Sequence, residues 1–599
     1  MAGTTKIPTG DIVTFEVKVN GNSIPDTFQV YSLEVTFSVN HISTARVVVL
    51  DGDPTTGTFA ASSSSTFVPG AEIELFAGYD SKNSLVFKGV VLNQAIRINN
   101  VEGSVLEIQC RDKAISTVVG RKSASYSQKS DSDIITSILG NYSGISTKIT
   151  ATTTQWPQQV QYYATDWDFI LSRAEANGML VTTVNGTFSV FNPLAETTSV
   201  LTLAYGDSIF ELQGDLDTVS QLGNVKASAW DYSTQALISA TEVNNFSGAG
   251  NISSKKLSEV VGLSHYALQT SGALTQDELS TWSKAQLIKS ELSKFKGEVV
   301  CQGNTLVLPG NFITLQGLGD RFNGDHFVSS VIHTLSEGNW TTEIGFGLSP
   351  QWFTELPDVM APPAAGLLPG VNGLFTATVK KMYEDPDNQY RILIDLPLFD
   401  TAGEGLWARQ ATFYATGNAG AFFLPEVGDE VIVGFLNEDP RFPIILGSLY
   451  SSEKLKPFTG LDPNEKNSMK AIVSKSGIQV NFDDENKVFT IVTPQKNTLI
   501  LSDQDKQITL KDQNSNSLIM SSDGITLKSP KNITVEADES LTLKGNQGVT
   551  ISSSAGDVTI KGLNIKESAE MEYSAEGSAT ASVQGGAELT LKGAMVMIN

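Results

Sequence analysis

The sequence predicts a mainly β, multi-domain protein whose C-terminal part is an intertwined trimeric β-helix, a β-prism needle. Three observations predict it. From residue 525 the apolar pairs Ile525/Leu527, Ile533/Val535, Leu541/Leu543 and Val549/Ile551 fall on an eight-residue period, and one extra residue shifts the next pair to Val558/Ile560. Within each pair the spacing is two, the side-chain period of a strand with one face inside, and Gly, Asn, Ser, Asp and Lys fill the corners. Further on, the odd positions from 569 to 597 are Ala, Gly, Met, Tyr, Val or Leu throughout, while the even positions from 570 to 592 are polar or Gly. So small an interior face means converging backbones and a narrow object. Finally, the first 120 residues alternate apolar and polar between Gly, Asn and Asp turns.

An octad is too short for one whole turn of a single-chain solenoid. Either three octads of one chain make a turn, or three chains each supply one face per layer. The three-chain prism is the favoured reading, and a monomeric solenoid is the alternative. Roughly fifteen octads between 474 and 599, at about 4.8 Å per layer, would extend about 70 Å. A closed prism also removes the aggregation-prone edge of an open sheet.

In chain order, strands are expected at 13–19, 31–37, 45–50, 73–76 and 105–109. Helices follow at 131–141, capped by Ser130 or Asp131, and at 166–177, stopped by Gly178. Strands at 179–183 and 187–191 form a hairpin across Asn185-Gly186. A further helix at 275–290 has acidic residues in its first turn, within a β-rich stretch from 200 to 350. A Pro-, Ala- and Gly-rich linker is expected near 356–372. Residues 373–452 then hold five short strands, at 374–380, 390–396, 405–411, 430–435 and 444–450, which suits a small closed barrel of the OB type. A connector at 453–474 leads into the needle at 475–599.

Composition bounds the function. A length of 599 residues supplies several cores. The net charge of −24 argues against nucleic-acid or anionic-membrane binding, which need Lys and Arg clusters. Cys110 and Cys301 lie far apart within apparent strands and read as buried, reduced thiols. The N-terminus has no apolar signal-type core and no run approaches 18 apolar residues, so neither a signal peptide nor a membrane span is expected. The chain is expected to be made and folded in a cytoplasm.

Four segments of the barrel carry a resemblance: 405–409 (GLWAR), 423–431 (FLPEVGDEV), Asp439-Pro440 and 447–450 (GSLY). In this order, directly before an octad repeat, they resemble the OB domain of VgrG-type spike proteins of contractile injection systems, the group that spans type VI secretion and phage-tail hubs. The N-terminal part is similar to the tail-hub half of that family through 67–70 (FVPG), 78–80 (GYD) with 86–89 (VFKG), 166–171 (DWDFIL) with 174–178 (AEANG), Pro309-Gly310, 322–324 (FNG), His333 and Trp340. Within the barrel, Trp407, Arg409, Pro425, Glu426, Gly428, Asp429, Asp439, Pro440, Gly447 and Tyr450 read as structural: Trp407 as a packing anchor, Asp439-Pro440 as a turn that blocks strand extension. The resemblance implies a tail-hub region at 1–355 with two similar β-barrel domains plus helical insertions. It implies a homotrimer matched pseudo-sixfold to a hexameric inner tube protein, baseplate proteins as neighbours, effector cargo, and membrane contact only during puncture on sheath contraction. It also implies assembly in the cytoplasm of a producing bacterium and delivery on firing. A phage-tail spike and a spike bearing a hydrolase are the alternatives.

No catalytic motif is found: there is no nucleophile elbow, phosphate loop or zinc-protease helix motif. His326 and His333, seven apart, fall on opposite faces if one strand continues. His41 and His265 stand alone. Asp51 and Asp53 read as a turn rather than a calcium loop. Catalytic residues, metal and cofactor are therefore all expected to be none. The end of the chain breaks the alternation, since Ala594, Val596 and Ile598 are apolar where polar residues stood before. A separate tip protein of the PAAR type is expected to dock on Gly593, Met595, Val596, Met597, Ile598 and Asn599; a self-sealing plug is the alternative. In the resembled family some phage needles close with His-ligated iron, but no histidine follows His333.

Overall fold

The computed structural model describes residues 7, 10, 12–99, 103–398, 404–451, 453–458 and 464–598. Two units result, 1–449 and 450–599.

The first unit is organised by a 13-stranded sheet. Alternation builds it, since in Val30–Ser38 the residues Leu33, Val35 and Phe37 point inward and their neighbours outward. The two barrels expected in this region are two halves of one sheet. Gly324–Ser336 pairs antiparallel with Val30–Ser38, setting Val331 opposite Phe37 and Leu335 opposite Leu33. Each half keeps its own core. Phe37, Val47, Ile73, Phe87 and Ile108 fill one; Leu203, Val299, Ile313, Val328 and Ile344 fill the other. Each such fully buried side chain contributes about 1.5–3 kcal/mol.

The halves also repeat a turn, bond for bond. Ala71 N donates to Val68 O at 3.0 Å, and Asn311 N to Leu308 O at 3.1 Å. Gly70 N reaches Val91 O at 2.8 Å, and Gly310 N reaches Val328 O at 2.9 Å. Val91 N returns to Ala71 O, and Val328 N to Asn311 O, both at 2.9 Å. Gly70 and Gly310 have φ of 96° and 94°, the left-handed value that the third position of a Pro-Gly type II turn requires.

A helical layer is inserted after the first half. Ser130 caps Asp131–Leu139 and Thr165 caps Asp166–Ala176. Both helices open on a buried carboxylate. Asp131 accepts from Arg173 Nε at 2.7 Å, Trp156 Nε1 at 3.0 Å and Asn177 Nδ2 at 2.8 Å. Asp166 accepts from Lys122 Nζ at 2.6 Å, Tyr142 Oη at 2.5 Å and Gln161 Nε2 at 2.9 Å. Burial alone would raise the Asp166 carboxyl, but these donors win and hold it below the usual range. The hairpin Leu180–Val184 with Thr187–Phe191 turns at Asn185 and Gly186, both with positive φ, as a two-residue I′ loop demands. Its tip docks on the main sheet: Lys88 N donates to Asn185 Oδ1 and Gly186 N to Asp112 Oδ2. Gly178 ends the second helix where a Cβ would stand 3.2 Å from the Ala285 backbone.

A second insertion packs the sheet of Asn224–Asp231, Ala236–Val243 and Tyr266–Thr270 against the helix Gln276–Leu292, whose Thr275–Glu278 capping box fixes its start. The short helix Ser254–Val261, capped by Ser253 and ended by left-handed Gly262, was not anticipated. The expected linker near 356–372 is tied down at both ends. Arg121 donates to the carbonyls of Tyr163, Asp358 and Met360, and Val371 N donates to Glu438 O.

The histidines correct an expectation. His326 and His333 share the strand Gly324–Ser336, but a β-bulge between Val328 and Ser330 resets the alternation, and both are buried. His326 sits among Phe295 and Phe346, with Nε2 2.8 Å from Phe322 O. His333 lies against Phe37 and Trp340, with Nδ1 3.0 Å from Thr342 Oγ1. Cys110 and Cys301 are both buried and free, and burial pushes each thiol up to about 12.

A five-stranded closed barrel follows, in the order Phe375–Lys381, Ile392–Asp395, Leu406–Gln410, Pro443–Ser448, Glu430–Phe435. Its one parallel step joins Leu406–Gln410 to Pro443–Ser448. Ala377, Val379, Ile392, Ile394, Ala408, Val431, Val433 and Ile445 form the core.

The second unit differs from the expected run of octads. Residues 469–528 form a seven-stranded antiparallel meander of five-residue strands, Met469–Val473 to Gly524–Lys528. Two apolar rows cross one face. Ile472, Val480, Ile491, Leu499, Leu510, Leu518 and Leu527 stand opposite one another in register, and so do Phe482, Phe489, Leu501, Ile508, Met520 and Ile525. Turns such as 483–486 (DDEN) and 512–516 (DQNSN) reverse the chain and lengthen the repeat beyond eight. True octads begin after it: bends recur at 530, 538, 546, 554, 563, 570, 578, 586 and 594, and the extra residue is absorbed near 556. Between the bends the chain is extended, and among the described residues 530–598 pair with no other strand.

Two outcomes follow for the first unit. Asp131→Ala leaves Arg173 without its buried partner and should cost about 3–5 kcal/mol, read as a lowered denaturant midpoint by tryptophan fluorescence of the full chain. Burial holds His333 down at about 4 against an ordinary 6.5. The unfolded chain therefore binds the extra proton between these values. Stability from this group is whole above pH 6.5 and falls as pH drops toward 4, by up to about 3 kcal/mol. His333→Gln should flatten that part of the stability-against-pH curve.

Candidate functional site

The barrel residues singled out from sequence divide between the turns that close the barrel and its outer wall. Alternation along Leu406–Gln410 turns Ala408 inward and leaves Trp407 and Arg409 outside. Trp407 is thus not a core anchor. It lies half-buried on the outer wall with the Arg391 guanidinium 6.0 Å from its ring. Arg391 is itself held by Asp385 at 2.6 Å, and that pairing keeps the Asp385 carboxyl well below the usual range. Arg409 is exposed, at the parallel step opposite Ile444.

Pro425 is buried, and the turn after it closes doubly. Asp429 N donates to Glu426 O at 3.0 Å, and Glu426 N donates to Asp429 Oδ2 at 2.9 Å. Gly428, at φ 94°, sends its N–H to Val379 O, while Val379 N donates to Asp429 O. These bonds fasten Glu430–Phe435 to Phe375–Lys381. Buried Asp439 accepts from Arg441 N at 3.0 Å, Nε at 3.0 Å and the terminal nitrogen at 2.7 Å, so its carboxyl sits below the usual range. Pro440 spans that loop. Gly447 pairs with Ile432 in the last strand, and Tyr450 is exposed just past it. A cleft of about 640 Å³ on the barrel involves none of these ten residues; Tyr390, Tyr414, Phe422 and Leu424 are among its walls. Sequence reasoning missed this aromatic excursion, although its signal was present: no charged residue occurs from Gln410 to Pro425.

At the other candidate surface, Gly593 falls on the corner register of Gly577 and Gly585, sixteen and eight residues before it. At those two corners a Cβ would stand 2.3 Å from the carbonyl oxygen three residues on, which is why glycine is needed. Beyond Gly593, Met595, Val596, Met597 and Ile598 are solvent-facing, the last two 82% and 85% exposed. Asn599 lies outside the described residues.

The remaining polar candidates are structural. Asp51 accepts from the amides of Gly52, Ala61 and Ser62 and braces its loop. Among the described residues no three His, Cys, Asp or Glu side chains converge as metal ligands, and no helix is long and apolar enough to cross a membrane.

Parts of this chain are similar to known proteins. The model of the Alg8 N-terminal domain matches residues 9–337, and that of the type VI secretion system/phage-baseplate injector OB domain matches residues 375–450. The spike proteins VgrG1a and VgrG1b of Pseudomonas aeruginosa are 28% and 30% identical over 188 and 152 residues. Those matches cover 29% and 23% of this chain but only 29% and 20% of the relatives' length. The actin cross-linking toxin VgrG1 of Vibrio cholerae is 32% identical over 98 residues, 15% of this chain and 9% of the toxin. Among solved structures, the prophage MuSo2 43 kDa tail protein of Shewanella oneidensis aligns at a TM-score of 0.43, with 11% identity over 56% of this chain and 98% of its own. The type VI secretion component c3393 of E. coli aligns at 0.38, with 14% identity over 72% and 100%. The chain belongs to the Alg8 N-terminal domain family, and it is similar over part of its length to VgrG spike proteins and to the type VI secretion system/phage-baseplate injector OB domain.

Proposed function

We propose that three copies of this chain form the central spike of a contractile injection machine. One observation carries the reading. Among the described residues no buried apolar side chain lies beyond Ile445, although residues 469–528 present two full apolar rows on one sheet face. Such a face needs a partner, and the sequence that provides it is the same face of another copy. The octads after it, extended and unpaired, find strand neighbours in the same way.

The hub agrees with this stoichiometry. Its turn and strand repeat occurs twice per chain, so three chains offer six similar modules to a hexameric tube protein, with baseplate proteins around them. The apolar end at Gly593 and 595–598 would seat a PAAR-type tip protein. Sheath contraction would supply the work of driving tube, spike, tip and any effector cargo through a membrane, so this chain itself needs no active site.

The purified full-length chain should show a mass three times 64.2 kDa by light scattering on size exclusion. A stable monomer would refute the three-chain spike. Leu499→Glu places a charge in the middle of the apolar rows and should abolish the trimer. By contrast, Met597→Asp with Ile598→Asp should leave the trimer intact and remove co-purification of a PAAR-type protein.

A further inference from the structure

One buried cation of the first unit has no part in the packing described above. Lys294 follows the helix Gln276–Leu292, and its side chain is 2% exposed. Nζ lies 3.3 Å from Glu291 Oε1, yet among the described residues it finds no hydrogen-bond partner. The other carboxylate oxygen of Glu291 accepts from Ser254 Oγ. An ammonium carries three donors, and burying it without acceptors is costly. Elsewhere this fold satisfies its buried charges, as at Asp131 and Asp166. Lys294 faces a chamber instead. Lys294, Glu291, Asp325 and His326 line a space of about 60 Å³, with Phe295 and Phe312 among its apolar walls. Gly248 supplies another wall, where a Cβ would stand 2.2 Å from Glu291 Oε1 and 3.1 Å from Lys294 Nζ. The chamber shares Gly248, Ala249, Glu291 and Asp325 with a wider cleft of about 550 Å³, which reaches solvent at exposed Thr197 and Asp325.

We infer that this chamber binds an uncharged carboxamide, the head of an asparagine or glutamine side chain, entering through the wider cleft. The carbonyl oxygen accepts from Lys294 Nζ. The amide nitrogen donates to Asp325, whose Oδ1 already accepts from Thr314 Oγ1 at 2.5 Å and which offers Oδ2. Size agrees with this head group. The chamber holds roughly four water-sized spheres, about as many as the non-hydrogen atoms of a carboxamide and its methylene. Charge selects against the matching acid. Glu291 and Asp325 already set two carboxylates against one ammonium, so a third is repelled. His326 does not redress the balance, because burial foremost, with the Lys294 charge beside it, lowers its pKa and keeps the ring neutral. Outside the chamber, Thr197, Ser247 and Asn323 give the cleft polar walls suited to the backbone that carries such a side chain.

The test is equilibrium dialysis of the full-length chain with radiolabelled L-glutamine and L-asparagine, and with the same residues inside blocked tripeptides. Each probe is paired with its glutamate or aspartate counterpart. At least one amide probe should bind saturably, once per chain and at least tenfold tighter than its acid. Binding confined to the free amino acids identifies a small-molecule site; binding confined to the tripeptides identifies a segment of a protein partner. Two variants locate the site. Thr197→Trp obstructs the cleft from an exposed position, and Lys294→Met with Glu291→Gln removes both buried charges together. Each should weaken binding at least tenfold. No saturable binding of any amide probe, equal binding of the acids, or undiminished binding in either variant that keeps the wild-type circular dichroism spectrum would overturn the inference.

Discussion

The apolar face of the C-terminal meander is the constraint from which the rest of the reading follows. Its thirteen in-register apolar residues have a sheet behind them, and among the described residues none of them is buried. A single layer of five-residue strands cannot make a core, because a sheet must lay its apolar face on another layer. The octads beyond are more extreme still, with regular corners but no strand pairing of their own. On the three-chain reading, a chain that spends about 130 residues this way specifies an assembly rather than a domain.

The hub solves the opposite problem. It has more core than one sandwich needs, and it joins two cores through the pairing of Gly324–Ser336 with Val30–Ser38. Buried polar groups then do the locating. Asp131 and Asp166 gather helices and strands around satisfied carboxylates, and the Asn185-Gly186 hairpin tip is bonded to the sheet below it. Such groups are costly if left half-bonded, which makes them specific about position. The same logic recurs in the barrel, where Gly428 and Asp429 set the closing register.

Much of this was legible in the sequence because local rules decide it. The strand Val13–Val19, the capped helices and the Asn-Gly hairpin follow from alternation, caps and turn chemistry. The long strand Lys82–Asn99 was not legible, since a bulge between Val91 and Asn93 shifts its phase and polar residues interrupt its pattern. His326 and His333 were misplaced by a similar bulge. Trp407 was read as a packing anchor; it packs half-buried on the outer wall, and the inward position beside it belongs to Ala408. The octads were extended too far upstream because hairpin strands share the spacing of two within each pair, and only the turn lengths separate the two architectures. The aromatic excursion was legible only from its missing charges, a signal the sequence reading passed over.

The contrast between meander and octads also bears on the order of events during assembly. Antiparallel hairpins pair residues close in sequence, so the meander's strands can find register quickly on one chain. Residues 530–598 have no such local partners, and on the three-chain reading they gain structure only as chains come into alignment. Folding of the second unit then has a direction, starting at the meander and zipping toward Ile598. The apolar end is the last surface to form, so a partner that recognises it meets only spikes whose three chains are already in register.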